Sequence, residues 1–127
     1  MQTSLLHAPF RLPAEPVERD LLAKYFRVLG DPTRLRILGL VAEEERSVGE
    51  LAELLAEPQP KVSNHLACLR WCGFVVAEKD GRSARYRIVD ERVHDLLTVA
   101  TGMMADNAQA IASCLIVGEP MQEGEVE

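Results

Sequence analysis

Pro60-Lys61-Val62-Ser63-Asn64-His65-Leu66-Ala67-Cys68-Leu69-Arg70-Trp71-Cys72-Gly73 is the stretch on which the reading of this chain turns. On a helix, at about 100° per residue, Val62, Leu66 and Leu69 fall on one apolar stripe. Lys61, Ser63 and Asn64 lie off that stripe near the start, where a helix entering a DNA groove carries its reading side chains. Cys68 and Cys72 stand four apart, so both lie on one side of the helix, one turn above each other. They fall beside the stripe rather than within it. Gly73 then ends the helix, as glycine does after a last turn.

Working upstream, Ser47-Val48-Gly49-Glu50 has the spacing of a capping box and predicts a short helix through Leu51, Leu54 and Leu55. Glu57-Pro58-Gln59-Pro60 breaks it and opens the helix quoted first. Two short helices so joined, the second polar near its start, form a helix-turn-helix pattern. Further back, Val17, Leu21, Leu22, Tyr25, Phe26, Val28 and Leu29 have helical spacing, and Gly30 closes that run. Asp31 is placed to cap a helix from Pro32 to Ala42, which is expected to bury Leu35, Ile37, Leu38 and Val41. Glu43-Glu44-Glu45 reads as a solvated connection.

Downstream, residues 74–77 and 84–89 read as two strands around Lys79-Asp80-Gly81-Arg82, whose Asp-Gly is a hairpin signal. A basic hairpin after a helix-turn-helix is a wing. From Glu91 to Val117 the apolar positions Val93, Leu96, Leu97, Ala100, Met103, Met104, Ala108, Ile111 and Leu115 predict one long last helix. The expected fold is mainly α with a small β-hairpin, a winged helix-turn-helix. Its domain should span residues 16–117, between a flexible arm, 1–15, and an acidic disordered tail, 118–127.

The formal charge of −6 argues against nucleic acid only until its distribution is read. Between Gln59 and Val89 lie Lys61, Arg70, Lys79, Arg82, Arg85 and Arg87 against Glu78 and Asp80; the acid concentrates in 43–57 and after residue 118. A locally basic face on an acidic protein meets phosphates well enough. Gln59, Lys61, Ser63 and Asn64 in the helix, with Arg82 and Arg85 in the wing, are the expected DNA contacts. Amides and hydroxyls meet base edges, and arginines mostly meet phosphates. His65 reads as structural or as a phosphate contact. A plain solvated surface is the blander account of the same residues.

No apolar run reaches about 18 residues, so no membrane span and no membrane partner are expected. Met1 to Pro13 lacks the features of a signal peptide, so a cytoplasmic protein is expected. In a reducing cytoplasm three cysteines, an odd number, would be free thiols or ligands rather than a disulfide framework. Thiolates are soft donors, suited to zinc, cadmium, mercury, lead or arsenite-like species. The competing account makes the cysteines small buried hydrophobes. No Ser-His-Asp set, phosphate loop or metal-hydrolase motif points to an enzyme.

The order of elements resembles the ArsR/SmtB family of winged-helix repressors over roughly residues 17–117. Leu29-Gly30-Asp31-Pro32-Thr33-Arg34-Leu35-Arg36-Ile37-Leu38 looks like its opening signature. Val62-Ser63-Asn64-His65-Leu66, Leu69 and Gly73-Phe74-Val75 look like its recognition helix and first wing strand, and Gly81, Arg82 and Tyr86 match its wing. One departure is Pro58, where the family often has a capping serine.

The resemblance implies a homodimer formed through the N- and C-terminal helices, double-stranded operator DNA as partner, and metal-controlled repression. The family's Glu-Leu-Cys-x-Cys site is absent, since that stretch here is Glu50-Leu51-Ala52-Glu53-Leu54; its C-terminal-helix site lacks a second histidine after His94. Cys68-Leu69-Arg70-Trp71-Cys72-Gly73 instead is similar to the cadmium- and lead-sensing branch, which adds a third, C-terminal cysteine; here that is Cys114. This likeness implies a repressor released from DNA when Cd(II) or Pb(II) binds Cys68, Cys72 and Cys114, with Zn(II) or another thiophilic ion as alternatives. A thiol redox or reactive-sulfur sensor of the same fold is the main competing expectation. Cysteines at i and i+4 suit a mutual disulfide poorly, so Cys114 would have to be the redox partner. A winged helix that binds a protein instead of DNA is the third reading.

Overall fold

A computed structural model describes residues 9–114. The elements run α1 (Pro16–Leu29), α2 (Pro32–Glu43), β1 (Arg46–Ser47), α3 (Val48–Leu55), α4 (Gln59–Trp71), β2 (Val76–Asp80), β3 (Ser83–Arg87), α5 (Glu91–Asp106) and α6 (Ala108–Ala112). The fold is the expected one: helices, helix-turn-helix, wing, helix.

The local signals act as their chemistry requires. Asp31 Oδ2 accepts the Arg34 N–H at 3.0 Å, with Pro32 in the first turn of α2. Ser47 and Glu50 close a reciprocal capping box at the start of α3: Glu50 N–H to Ser47 Oγ at 3.1 Å, Ser47 N–H to Glu50 Oε1 at 2.8 Å. The N-cap of α4 is Pro58, and it makes no side-chain cap.

The end of α4 is closed by backbone alone. The Gly73 N–H reaches Arg70 O at 3.1 Å and the Phe74 N–H reaches Leu69 O at 2.9 Å, the paired bonds of a Schellman motif. That geometry needs the left-handed conformation Gly73 adopts, φ 85°. It turns Phe74 straight into the core, fully buried, with its ring 4.5 Å from that of Tyr25 on α1. Burying a phenylalanine this completely contributes roughly 1.5–3 kcal/mol.

The core is one cluster built from α2 (Ile37, Leu38, Val41), α3 (Leu51, Leu55), α4 (Val62, Leu66, Leu69) and the Phe74-Val75 pair. The stripe read from the sequence on α4 is its centre. Leu35, expected inside, is 44% exposed: it lies off the face of α2 that carries Ile37, Leu38 and Val41.

Three further differences have plain causes. The sheet has three strands, ordered β1-β3-β2, because Arg46-Ser47 pairs with Tyr86 and Arg85 across from β2. The first wing strand begins at Val76 rather than Phe74, since residues 74 and 75 are spent on the Schellman turn and the core. The last helix is interrupted: α5 ends at Asp106, and α6 restarts at Ala108. Asn107 is the break. Its side-chain amide donates back to Met103 O at 2.8 Å, the local competition by which Asn disfavours helix interiors. The distal part of the expected helix, 115–117, the tail and most of the arm lie outside the described residues.

The wing turns through Gly81-Arg82, with Asp80 facing Ser83. Gly81 has φ 66° and Arg82 does not have a positive φ, the pattern of a type II′ turn. Among the described residues no helix is long and apolar enough to cross a membrane.

Candidate nucleic-acid interface and thiol pair

Once Val62, Leu66 and Leu69 are buried, helical geometry decides what the rest of α4 presents. Gln59, Lys61, Ser63 and Asn64 are exposed along its first turns. Lys61 Nζ sits 3.1 Å from Glu57 Oε1, an i,i+4 surface pair worth less than about 1 kcal/mol and readily exchanged for a phosphate. His65 is half-buried and turned inward: its Nδ1 accepts the Arg34 Nε–H at 3.2 Å. That bond engages the imidazole with α2.

The wing divides its arginines. Arg82 stands exposed at the tip. Arg85 points back across the sheet, donating to Glu45 O at 2.9 Å and pairing with Glu50 Oε1 at 3.2 Å and Glu45 Oε1 at 3.5 Å. Arg87 pairs with Glu78 at 2.9 Å and Glu45 at 3.8 Å. The acidic run read as a solvated connection therefore grips the base of the wing. Glu50 joins this network to the α3 cap, and both contacts hold its carboxyl below the usual value, the Ser47 backbone N–H first and Arg85 after it.

At the other end of α4, Cys68 and Cys72 are free, half-buried and packed against the core cluster. Burial pushes the Cys72 thiol up; the neighbouring Cys68 sulfur adds to this through its charge and a hydrogen bond, while Lys24 and Arg34 pull the other way. Tyr25, also raised, chiefly by burial, feels Cys72, Asp90 and Arg92. The pair thus lies where α1, α2 and α4 meet. Two adjacent half-buried thiols beside Lys24 and Arg34 are a fitting donor set for a soft metal ion, which must displace their protons to bind.

Cys114 is half-buried at the end of α6, and among the described residues no three His, Cys, Asp or Glu side chains of one chain converge to hold a metal. The structure brings two of the three expected ligands together within a chain and leaves the third apart. The sequence marks Tyr25 only as an apolar position of the first helix and Arg34 only within the opening signature, and it does not mark Lys24; their link to α4 is tertiary.

Large apolar side chains stand exposed on three helices of the single chain: Val17 and Leu21 on α1, Val99, Met103 and Met104 on α5, and Ile111 on α6.

Comparison with known proteins gives consistent results. The family described as bacterial regulatory protein, arsR family, matches residues 31–76. A probable mercury resistance operon repressor of Streptomyces lividans is 45% identical over 104 residues, covering 81% of this chain and 83% of that protein. The crystal structure of Rv0081 from M. tuberculosis superposes with a TM-score of 0.69 at 37% identity, covering 73% of this chain and 93% of the other. The homodimeric winged helix-turn-helix DNA-binding domain of Mb0332 from Mycobacterium bovis gives 0.66 at 28% identity, covering 79% and 92%.

Proposed function

This chain belongs to the arsR family of bacterial regulatory proteins, a DNA-binding transcriptional regulator rather than an enzyme, and from that premise we propose that it is a metal-responsive repressor. It binds operator DNA in the cytoplasm as a homodimer and lets go when a soft metal ion is captured by thiolates. The observation that carries this reading is the placement of Cys68 and Cys72 on α4, at the opposite end from the exposed Gln59, Lys61, Ser63 and Asn64. An ion bound at one end of a rigid helix acts on what the other end presents.

The apolar face of α1, α5 and α6 is the dimer surface in this account, supported by the homodimeric state of the Mb0332 domain. Cys114 completes the site from the second subunit, because within one chain it stands apart from the pair. Two recognition helices must sit about one duplex turn apart, roughly 34 Å, to enter successive major grooves. Tying α4 to the partner's last helix changes that spacing. Ser63 and Asn64 read base edges, Gln59 and Lys61 position the helix start, and Arg82 meets phosphate. Arg85 serves by bracing the wing through Glu45 and Glu50.

Cd(II) or Pb(II) at a three-thiolate site is the first reading of the effector. Hg(II), equally soft, is the second, favoured by the name of the Streptomyces lividans relative. The test starts with selection of a duplex from a random-sequence pool by the wild-type protein, followed by metal addition under strictly reducing conditions. Release by Cd(II), Pb(II) or Hg(II), lost in Cys68→Ser and Cys72→Ser, supports the sensor. Cys114→Ser separates the ions: it abolishes release by a three-thiolate ion and spares one held by the pair. Release by oxidant alone would transfer the reading to a redox or reactive-sulfur sensor.

A further inference from the structure

We propose that Arg34 is a positioning residue for DNA binding: its guanidinium is the strut that sets the recognition helix α4 against the end of α1. The inference rests on the DNA-binding reading above. Arg34 is half-buried, and its backbone N–H is fixed by the Asp31 carboxylate at 3.0 Å, so the root of the side chain is locked in the first turn of α2.

From there the two edges of the guanidinium go to different helices. Nη1 donates to Val28 O at 3.1 Å, one of the last carbonyls of α1, which have no partner within their own helix. Nε donates to His65 Nδ1 at 3.2 Å, on α4. Three helices therefore meet on one planar group whose donors hold a fixed angle to each other. A lysine ammonium supplies the charge but not that fork.

His65 follows directly on Ser63-Asn64, and its ring faces inward while those two face solvent. The Arg34–His65 bond thus restrains the rotation of α4 about its own axis at the position that decides where Ser63 and Asn64 point. Val62 and Leu66 bury the helix but are non-directional; hydrophobic contact permits small rotations that a hydrogen bond between a charged donor and a ring nitrogen does not. Near the far end of α4 the charge of Arg34 also reaches Cys72, so the strut stands beside the thiol pair as well.

The experiment uses the full chain, with fluorescence anisotropy on two probes: a duplex selected from a random pool by the wild type, and a mixed-sequence duplex of equal length. Arg34→Lys and His65→Leu are expected to weaken binding to the selected duplex about tenfold, the usual weight of one hydrogen bond to a charged group. Binding to the mixed-sequence duplex, carried by phosphate charge, should stay within about twofold. His65→Asn, whose amide oxygen sits near the place of Nδ1, should restore most of the loss. A merely structural role would lower the thermal midpoint without that acceptor-dependent recovery. His65→Asn binding as poorly as His65→Leu, or an unchanged ratio between the two duplexes, overturns the proposal. Should Arg34→Lys fail to fold, the two His65 variants decide alone. A wild type that enriches no duplex overturns the DNA-binding reading, and this inference with it.

Discussion

If thiolates capture the effector, its affinity must climb steeply with pH, and the slope counts the ligands. Each cysteine that enters the site as a thiol gives up one proton. Cys72 does so at neutral pH, because burial and then Cys68 hold its thiol above the ordinary value against the pull of Lys24 and Arg34. Below the thiol range the proton competes with the metal, and as pH rises that competition fades. A site of two thiolates gains about two decades of affinity per pH unit, and a site of three gains about three. Between pH about 6.5 and 7.5 that is roughly 3 or 4 kcal/mol. The assay is competition of Cd(II) between the fully reduced protein and a chelator of known pH-corrected affinity, followed by thiolate-to-metal absorption. Wild type should give the three-proton slope, and Cys72→Ser and Cys114→Ser the two-proton slope. A wild-type slope of one or less would refute thiolate capture, and a slope indifferent to Cys114→Ser would remove the third ligand.

The scaffold supplies further tests. Gly73→Ala places a Cβ where nothing lies within 4 Å, so its cost is the backbone conformation at φ 85° alone, about 1–2 kcal/mol. A lowered thermal midpoint, with Gly73→Asn falling less, is the expected calorimetric result; equal stability of Gly73→Ala and wild type would contradict the Schellman account. Ser47→Ala removes the α3 cap and should cost about 1 kcal/mol in urea unfolding. Glu50→Gln, which keeps an acceptor for the Ser47 N–H, should be milder than Glu50→Ala. Asp90 caps α5 and is gripped by Arg92, which lowers its pKa to about 2. A carboxyl lowered in the folded state stabilises it fully above the unfolded pKa and loses that contribution as pH falls toward about 2. Wild type should therefore lose stability between pH about 4 and 2 more steeply than Asp90→Asn, and parallel curves would count against the cap.

The chain's own order determines whatever arises between residues three or four apart. The Asp31 cap, the Ser47–Glu50 box, the stripe Val62, Leu66 and Leu69, the Gly73 stop and the Gly81 turn all come from neighbours on one helix or hairpin, and each stands where the sequence puts it. The side-by-side thiols of Cys68 and Cys72 belong here too. Only the tertiary structure decides what lies between residues far apart in the chain. Arg34 meets His65 across 31 positions and Arg85 meets Glu45 across 40, and no local rule distinguishes these arginines from the exposed Arg82. The third strand exists because Arg46-Ser47 finds the free edge of β3. The break at Asn107 lay open to inspection, yet the apolar period ran through it, and the amide's bond to Met103 O prevailed locally. Cys114 shows the same division: its chemistry is legible from the residue itself, while its distance from the pair depends on how two helices pack. Local chemistry is short-ranged and repeats with the helix, so a sequence displays it. Packing sums many weak contacts over the whole molecule, and that sum appears only once the chain has folded.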